Sequence, residues 1–217
     1  MSILVISDTH LPHEHPKALD FCARLRDKHK PETVIHIGDL YDWHSASFHS
    51  HDPDLLSPKD ELELGAKHAA RWHKEFPKMS IVRGNHDAIP ARKLFEAGLP
   101  EAMLKSLNDM YQTPGWTWRD EIIIPGGRHK YWFKHHWAPA VVNRGGDGGY
   151  SVIAGHLHSK AQIIWSQYPS HSTFSLIVGC LINPNSRAFA YNKHDARRPV
   201  LACATIEHGE PSIHRMF

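Results

Sequence analysis

Cysteine is scarce in this sequence, long apolar runs are absent, and neither charge sign is in large excess. The three cysteines, Cys22, Cys180 and Cys203, lack metal-type spacing, which favours reduced thiols over a disulfide framework. No apolar stretch approaches the roughly 20 residues of a membrane-spanning helix. The net charge of +2 is too small to indicate nucleic-acid binding by itself. Because residues 1–8 also lack the basic region of a signal peptide, we expect a cytoplasmic protein without membrane contact.

Histidine is the one residue type in marked excess, with 20 in a chain of 217 residues. The rest of the composition is ordinary for a globular protein, with 41% hydrophobic and 22% charged residues. The length fits one compact domain and no internal repeat is found, so we expect a single domain over residues 1–217. Since histidine is the commonest metal ligand and an acid or base near neutral pH, some of these residues are expected to carry the function.

Short apolar runs predict buried strands separated by turn-forming segments. The predicted strands are Ile3–Ser7, Val34–Ile37, Ser80–Arg83, Glu121–Ile124, Lys130–Lys134, Ser151–Ala154, Gln162–Trp165, Ser175–Val178 and Leu201–Glu207. Helical spacing of apolar residues predicts a first helix over 18–25, and Ser57 can cap a second one. A third helix over 90–110 is expected to break near Pro100, because proline cannot continue a helix. This order predicts an α/β fold with sheets between helices.

Residues that can bind metals or transfer protons follow directly after five of the predicted strands. The five blocks are Asp8-Thr9-His10, Gly38-Asp39-Leu40-Tyr41-Asp42, Gly84-Asn85-His86-Asp87, His135-His136 and Gly155-His156-Leu157-His158. In open α/β sheets, ligands bind outside the carboxyl ends of the strands. The five strand ends are therefore expected to converge on one place.

The residue types in these blocks suit divalent metals. Asp8 and His10 are two residues apart and would point the same way on an extended backbone, and the same holds for His156 and His158. Carboxylate, imidazole and amide oxygen suit Mn, Fe or Zn. Seven candidate ligands are too many for one zinc ion, but they fit two ions about 3.5–4 Å apart. The glycines that open three of the blocks allow sharp turns and a close approach of the backbone.

The series D-x-H, G-D-x-x-D, G-N-H-D, a strand-terminal histidine and G-H-x-H resembles the calcineurin-like metallophosphoesterase superfamily. All five blocks occur in the family's order between Asp8 and His158. One block alone is a weak signal, whereas five in order at five strand ends are specific. The resemblance implies a four-layer α/β/β/α sandwich with two mixed β-sheets, and a metal-dependent hydrolase of phosphate esters.

The resemblance also implies a role for each candidate residue. The implied metal ligands are Asp8, His10 and His158 for one ion, Asn85, His135 and His156 for the other, and the bridging Asp39. His86 would protonate the leaving oxygen without binding metal, and Asp42 would orient and acidify His86. A hydroxide held between the metals would attack phosphorus in line. Mn is the first candidate for both ions, with Fe, Zn, Ni or Mg as alternatives.

The leading interpretation is a phosphodiesterase that acts on a small or nucleotide phosphate ester. A nuclease of the DNA-repair exonuclease type is one alternative, which the mild net charge does not favour. A phosphomonoesterase or phosphoprotein phosphatase is another, weakened because Trp43 stands where those phosphatases have an arginine that grips phosphate. A non-catalytic binding scaffold is the remote alternative, since some members of the fold have lost the catalytic histidine that this chain keeps as His86.

Several neighbouring residues allow both a functional and a structural interpretation. His136 replaces the family's glycine after His135, and it either contacts phosphate or is a loop residue. Arg83 either faces the site or points away from it, and Asp87 is expected to be structural. Arg144, in the glycine-rich segment 143–149, either reaches the substrate or lies in a simple connection.

Two sets of residues are expected to be mainly structural. The tryptophans that could stack bases but more commonly pack in a core are Trp116, Trp118, Trp132 and Trp137. The histidines expected to be solvated in loops, with one or two lining the pocket, are His13, His15, His44, His49 and His51.

Overall fold

The computed structural model describes residues 1–48, 54–126, 130–146, 148–186 and 198–217. The strands over these residues are β1 (Ser2–Ile6), β2 (Thr33–His36), β3 (Ser80–Val82), β4 (Thr117–Arg119), β5 (Ile122–Pro125), β6 (Lys130–Phe133), β7 (Tyr150–Ala154), β8 (Gln162–Gln167), β9 (Ser172–Ile177), β10 (Ala202–Glu207) and β11 (Glu210–Arg215). The helices are α1 (Ala18–His29), α2 (Pro58–Glu75), α3 (Ile89–Glu96), α4 (Leu107–Tyr111) and α5 (Pro139–Asn143).

The strands form two mixed sheets. The first sheet has the order β11-β10-β1-β2-β3-β4, in which β1 to β4 run parallel and β10 is antiparallel to β1. The second has the order β5-β6-β7-β9-β8, with β6, β7 and β9 parallel and both edge strands antiparallel. The parallel strands of each sheet end at the same edge of that sheet, so the loops after them lie side by side.

The sheets pack face to face between outer helices. In β1, Leu4 and Ile6 belong to the core under the helices, whereas Ile3 and Val5 belong to the core between the sheets. A strand buried on both faces has a continuous apolar sequence rather than an alternating one, as this one does. Against the outer face of the second sheet lies a smaller apolar cluster that contains Val142 of α5. The predicted α/β/β/α sandwich with two mixed sheets is confirmed.

The predicted strands and helices overlap the observed ones, although many of their first and last residues differ. All nine predicted strands are present, with ends shifted by up to three residues. Ser57 caps α2 and its hydroxyl accepts the Asp60 amide, while the predicted third helix is divided into α3 and α4. Strands β4 and β11 and the short helix α5 were not predicted. They are short or have polar residues at alternate positions, so they lack the longer apolar runs on which the predictions rested.

Among the helices of the described residues, none combines the length and the apolar composition that crossing a membrane requires.

Candidate metal centre

The five sequence blocks lie at the ends of parallel strands in both sheets. Asp8 and His10 follow β1, Asp39 and Asp42 follow β2, Asn85 and His86 follow β3, His135 follows β6, and His156 and His158 follow β7. Backbone hydrogen bonds tie neighbouring loops together, from Asp8 to Gly38 (3.1 Å) and from Gly155 to His135 (3.1 Å). The expected convergence of the blocks on one place is therefore what the structure shows.

The first group of ligand atoms comes from Asp8, His10, Asp39 and His158. Nε2 of His158 lies 3.0 Å from Oδ1 of Asp8 and 3.3 Å from Nε2 of His10. Nε2 of His10 lies 3.7 Å from Oδ2 of Asp39. These spacings around one point are typical of atoms that share a divalent cation.

The second group comes from Asp39, His135 and His156, with Asn85 beside them. Nε2 of His135 lies 3.1 Å from Oδ2 of Asp39 and 3.1 Å from Oδ1 of Asn85. Asp39 is the one residue that belongs to both groups, which is the position that a bridging carboxylate needs. All seven predicted ligands therefore lie in one cluster, while their individual roles stay predictions.

The imidazoles of two predicted ligands are oriented through their other nitrogen. Nδ1 of His10 lies 2.6 Å from Oδ1 of Asp42, and Nδ1 of His135 lies 2.7 Å from the carbonyl of Ile37. Each contact engages Nδ1 as a donor and turns Nε2, with its lone pair, toward the cluster. Such a partner on the outer nitrogen is the usual arrangement of metal-binding histidines. The donor set thus fits the two divalent cations that the sequence predicts.

The carboxylates of the cluster are held in their ionised form. Burial alone would raise the pKa of Asp39, but the imidazoles of His135, His10 and His86 lower it, and the net shift is strongly downward. The pKa of Asp8 is likewise well below its usual range, because the neighbouring imidazoles of His10 and His158 outweigh the effect of burial. Metal ligands must be deprotonated, so this electrostatic environment favours cation binding.

The backbone reaches the cluster through left-handed conformations rather than extended ones. The φ angles of Asp8 (49°), His10 (51°), Asp39 (49°) and His156 (65°) are all positive. The side chains of Asp8 and His10 do come together as predicted. The predicted extended backbone was wrong, because both residues have left-handed conformations. Positive φ is uncommon for residues other than glycine, and such strained residues concentrate at functional sites.

Two of the block-opening glycines are required by close packing. A Cβ on Gly84 would overlap Oδ1 and the amide nitrogen of Asp39, and a Cβ on Gly155 would overlap Oγ of Ser7 and meet Oδ2 of Asp8. Of the three block-opening glycines, only Gly38 adopts a positive φ, at 83°. Gly84 and Gly155 approach the carboxylates of Asp39 and Asp8 closely, while the predicted approach to the metals stays a prediction.

His86 lies beside the cluster and contacts Asp42 twice. Its Nδ1 lies 2.6 Å from the Asp42 carbonyl and 3.1 Å from Oδ1 of the same residue. Burial alone would lower the pKa of His86, but the carboxylate of Asp42 raises it, and the net shift is upward. Asp42 therefore favours the protonated form of His86, which corrects the prediction that Asp42 would make it more acidic. The predicted orienting contact is present.

Asp87 joins two of the site loops. Its buried carboxylate accepts hydrogen bonds from the amides of Gly84 (2.9 Å) and Tyr41 (3.0 Å). Burial and the nearby charge of Asp39 raise the pKa of Asp87 to about 6. The expected structural role of Asp87 fits these contacts, since the residue holds the loop after β2 against the loop after β3.

Other residues with two interpretations take defined positions. His136 is exposed and packs edge to face on His156 (4.8 Å between ring centroids), outside the ligand cluster that contains His135. Arg83 pairs with the exposed Asp120 at 3.6 Å. Arg144 is exposed. Residue 147 of the glycine-rich segment 143–149 lies outside the described residues.

The four tryptophans pack within the fold, and the described additional histidines differ in burial. Trp116 is buried and donates to the Phe76 carbonyl (2.7 Å), as expected for a core residue. The others bond within the fold, Trp118 to Asn108 and Trp132 to Glu121, and Trp137 packs on Trp132. His13 lies 3.8 Å from Asp42, which fits the expectation that one or two of these histidines line the pocket. His44 is buried and His15 is half-buried, while His49 and His51 lie outside the described residues.

Glu61 was not singled out in the sequence, yet it lies next to this site. It is buried in the first turn of α2, and its carboxylate accepts the amides of His44 (2.8 Å) and Ser45 (2.9 Å). Nε2 of His13 lies 3.7 Å from Oε1 of Glu61. The available signal was an acidic residue near a helix start. Such a residue usually interacts with the helix dipole in solvent, so there was no reason to select it from the sequence.

Comparison with known proteins agrees with this geometry. The family model of calcineurin-like phosphoesterases matches residues 1–167, and the chain belongs to this family. Although the match ends at residue 167, β9 and β10 beyond it lie inside the two sheets. A search of curated protein sequences finds no match.

The solved structures that are similar to this chain have little sequence in common with it. The phosphoesterase YfcE from E. coli is 14% identical and has a TM-score of 0.51, with 95% of this chain and 88% of that chain covered. Vps29 from Chaetomium thermophilum is 11% identical (TM-score 0.49; 100% and 97% covered). The nuclease MPE from Pseudomonas putida is 16% identical (TM-score 0.40; 98% and 87% covered).

We predict that Gly84→Ala lowers the metal content of the purified protein. The added Cβ would overlap the carboxylate of Asp39, whereas Gly98→Ala is the matched control because a Cβ there meets nothing within 4 Å. Both changes are expected to lower the melting temperature, Gly98→Ala through its positive φ of 71°. Elemental analysis after dialysis measures the difference, and equal metal content in both variants would contradict the prediction.

Proposed function

We propose that this protein is a dimetal-dependent phosphodiesterase that acts on a small or nucleotide phosphate ester. The observation that carries the proposal is the partly exposed imidazole of His86 beside seven converging ligands, with ring centroids of His86 and His10 4.6 Å apart. A binding scaffold would need neither a proton donor at this place nor the contacts that hold it. The proposed location is the cytoplasm, which agrees with three buried cysteines outside disulfides.

Two divalent cations, when bound, lower the pKa of a water molecule and neutralise charge on the phosphoryl oxygens. The residues of the chain supply position and proton transfer. Asp42 raises the pKa of His86 and fixes its Nδ1, which leaves Nε2 to donate a proton to the leaving oxygen. Asp42 also orients His10, so one carboxylate sets both a metal ligand and the general acid.

We expect metal-dependent hydrolysis of a chromogenic phosphodiester in preference to a phosphomonoester. Protein stripped of metal would be given Mn, Ni, Zn, Mg or no metal and assayed on both substrates. Diester turnover that returns with metal supports the proposal and justifies trials with cyclic nucleotides and nucleic acids. Preference for the monoester would instead identify a phosphatase, and no turnover despite two bound ions would favour the scaffold.

His86→Ala is expected to keep the metal content and to lower turnover about 10²- to 10⁴-fold, most on substrates with poor leaving groups. The reason is that His86 is placed to donate a proton and belongs to neither of the two groups predicted for the metal pair, although its ring also lies close to His10 and Asp42. His73→Ala on α2 is the matched control, since His73 contacts the Pro114 carbonyl and not the cluster. A collapse of metal content in His86→Ala would show that the role given to His86 is wrong.

Asp39→Asn is expected to lose metal and activity together, because Asp39 alone belongs to both ligand groups. Asp20→Asn, on the exposed side of α1, is the control for removing one negative charge. Elemental analysis and the diester assay would be run on the same preparations. Full activity and full metal content in Asp39→Asn would exclude the bridging position.

A further inference from the structure

A second cluster of potential ligands adjoins the first. Nε2 of His13, Oδ2 of Asp42 and Oε1 of Glu61 face one another, and the three side chains offer ligand atoms within 4.8 Å of each other. They come from the loop after β1, the loop after β2 and the first turn of α2. None of the three belongs to the seven ligands predicted for the metal pair.

One oxygen of this cluster, Oδ2 of Asp42, is not satisfied by a hydrogen bond, whereas Oε1 of Glu61 accepts the amide of His44. His13 Nε2 lies 3.8 Å from Asp42 Oδ2 and 3.7 Å from Glu61 Oε1, which is beyond hydrogen-bond range. Asp42 is 1% exposed, and its Oδ2 is buried without a hydrogen-bond partner. An ionised carboxylate oxygen left without a partner in the interior is costly, so this atom points to a missing positive group.

The same distances fit a shared cation. Ligands about 2.0–2.2 Å from a zinc ion in a tetrahedron lie about 3.4 Å from one another, so small side-chain shifts would complete the site. The donor set of one imidazole nitrogen and two carboxylate oxygens suits Zn²⁺ and related ions, and two carboxylates balance a double positive charge. His13 is 11% exposed, so a water molecule could take the fourth position.

The other atoms of these side chains are already held in place. Oε2 of Glu61 accepts the amide and hydroxyl of Ser45, and Oδ1 of Asp42 contacts His10 and His86. Nδ1 of His13 lies 3.1 Å from Oγ of Ser186. Outer contacts of this kind orient ligands before a cation binds.

We propose that His13, Asp42 and Glu61 form a third divalent-cation site, separate from the metal pair. The cation neutralises the inner oxygen of Asp42 and keeps its carboxylate fixed between His10 and His86. Its binding does not depend on phosphodiester hydrolysis.

The test is the zinc content of full-length protein after incubation with excess Zn²⁺ and dialysis. Glu61→Gln keeps the shape of the side chain and removes its charge, and it should bind one zinc ion fewer per chain than wild type. His13→Ala should show the same loss. Glu63→Gln, exposed on the same helix, is the matched control and should bind as wild type. Equal zinc content in wild type and in both site variants would overturn the proposal.

Anomalous diffraction from zinc-soaked wild-type crystals provides a measurement that needs no folded variant. A peak between Nε2 of His13, Oδ2 of Asp42 and Oε1 of Glu61 is expected in addition to those at the metal pair. Peaks at the pair with none at the third position would overturn the proposal and leave the proposed function intact. A peak only at the third position would support it while contradicting the predicted pair.

Discussion

The structure depends on neutralising several buried carboxylates at one edge of two sheets. Asp8, Asp39 and Asp42 are almost fully buried, and the imidazoles around them lower the pKa of each. Imidazoles can neutralise these charges only while they are protonated, and a protonated imidazole cannot bind a metal. When cations bind, they take over this neutralisation and release the histidine nitrogens as ligands. We therefore expect cation binding to stabilise the folded loops at this edge of the two sheets.

The fold supplies rigidity so that the site loops can take unfavourable conformations. Four of the seven predicted ligands have positive φ angles, each of which costs roughly 1–3 kcal/mol. The strands before them are buried on both faces, as the division of β1 between two cores shows. Asp87 adds a local constraint, since one carboxylate accepts amides from two loops. Gly84 and Gly155 then permit contacts that any side chain would block.

The sequence was sufficient for elements and residues that are determined locally. A continuous apolar strand followed by a polar block identifies β1 with Asp8 and His10 without any knowledge of its neighbours. The left-handed conformation of those residues could not be predicted, because nothing in their type requires it and only tertiary packing sustains it. The cluster of His13, Asp42 and Glu61 could not be predicted from the sequence either, because α2 and the loop after β1 come together only in the folded chain.

Asp42 connects the two clusters because a carboxylate has two oxygens on opposite sides. Its Oδ1 lies 2.6 Å from His10 and 3.1 Å from His86, and its Oδ2 faces His13. A rotation of this one group would move a metal ligand and the proposed proton donor at the same time. Asp42 belongs to the G-D-x-x-D block, whereas His13 and Glu61, which come close to one another beside its Oδ2, lie outside the five blocks. The five blocks alone therefore do not determine whether a chain has this second cluster.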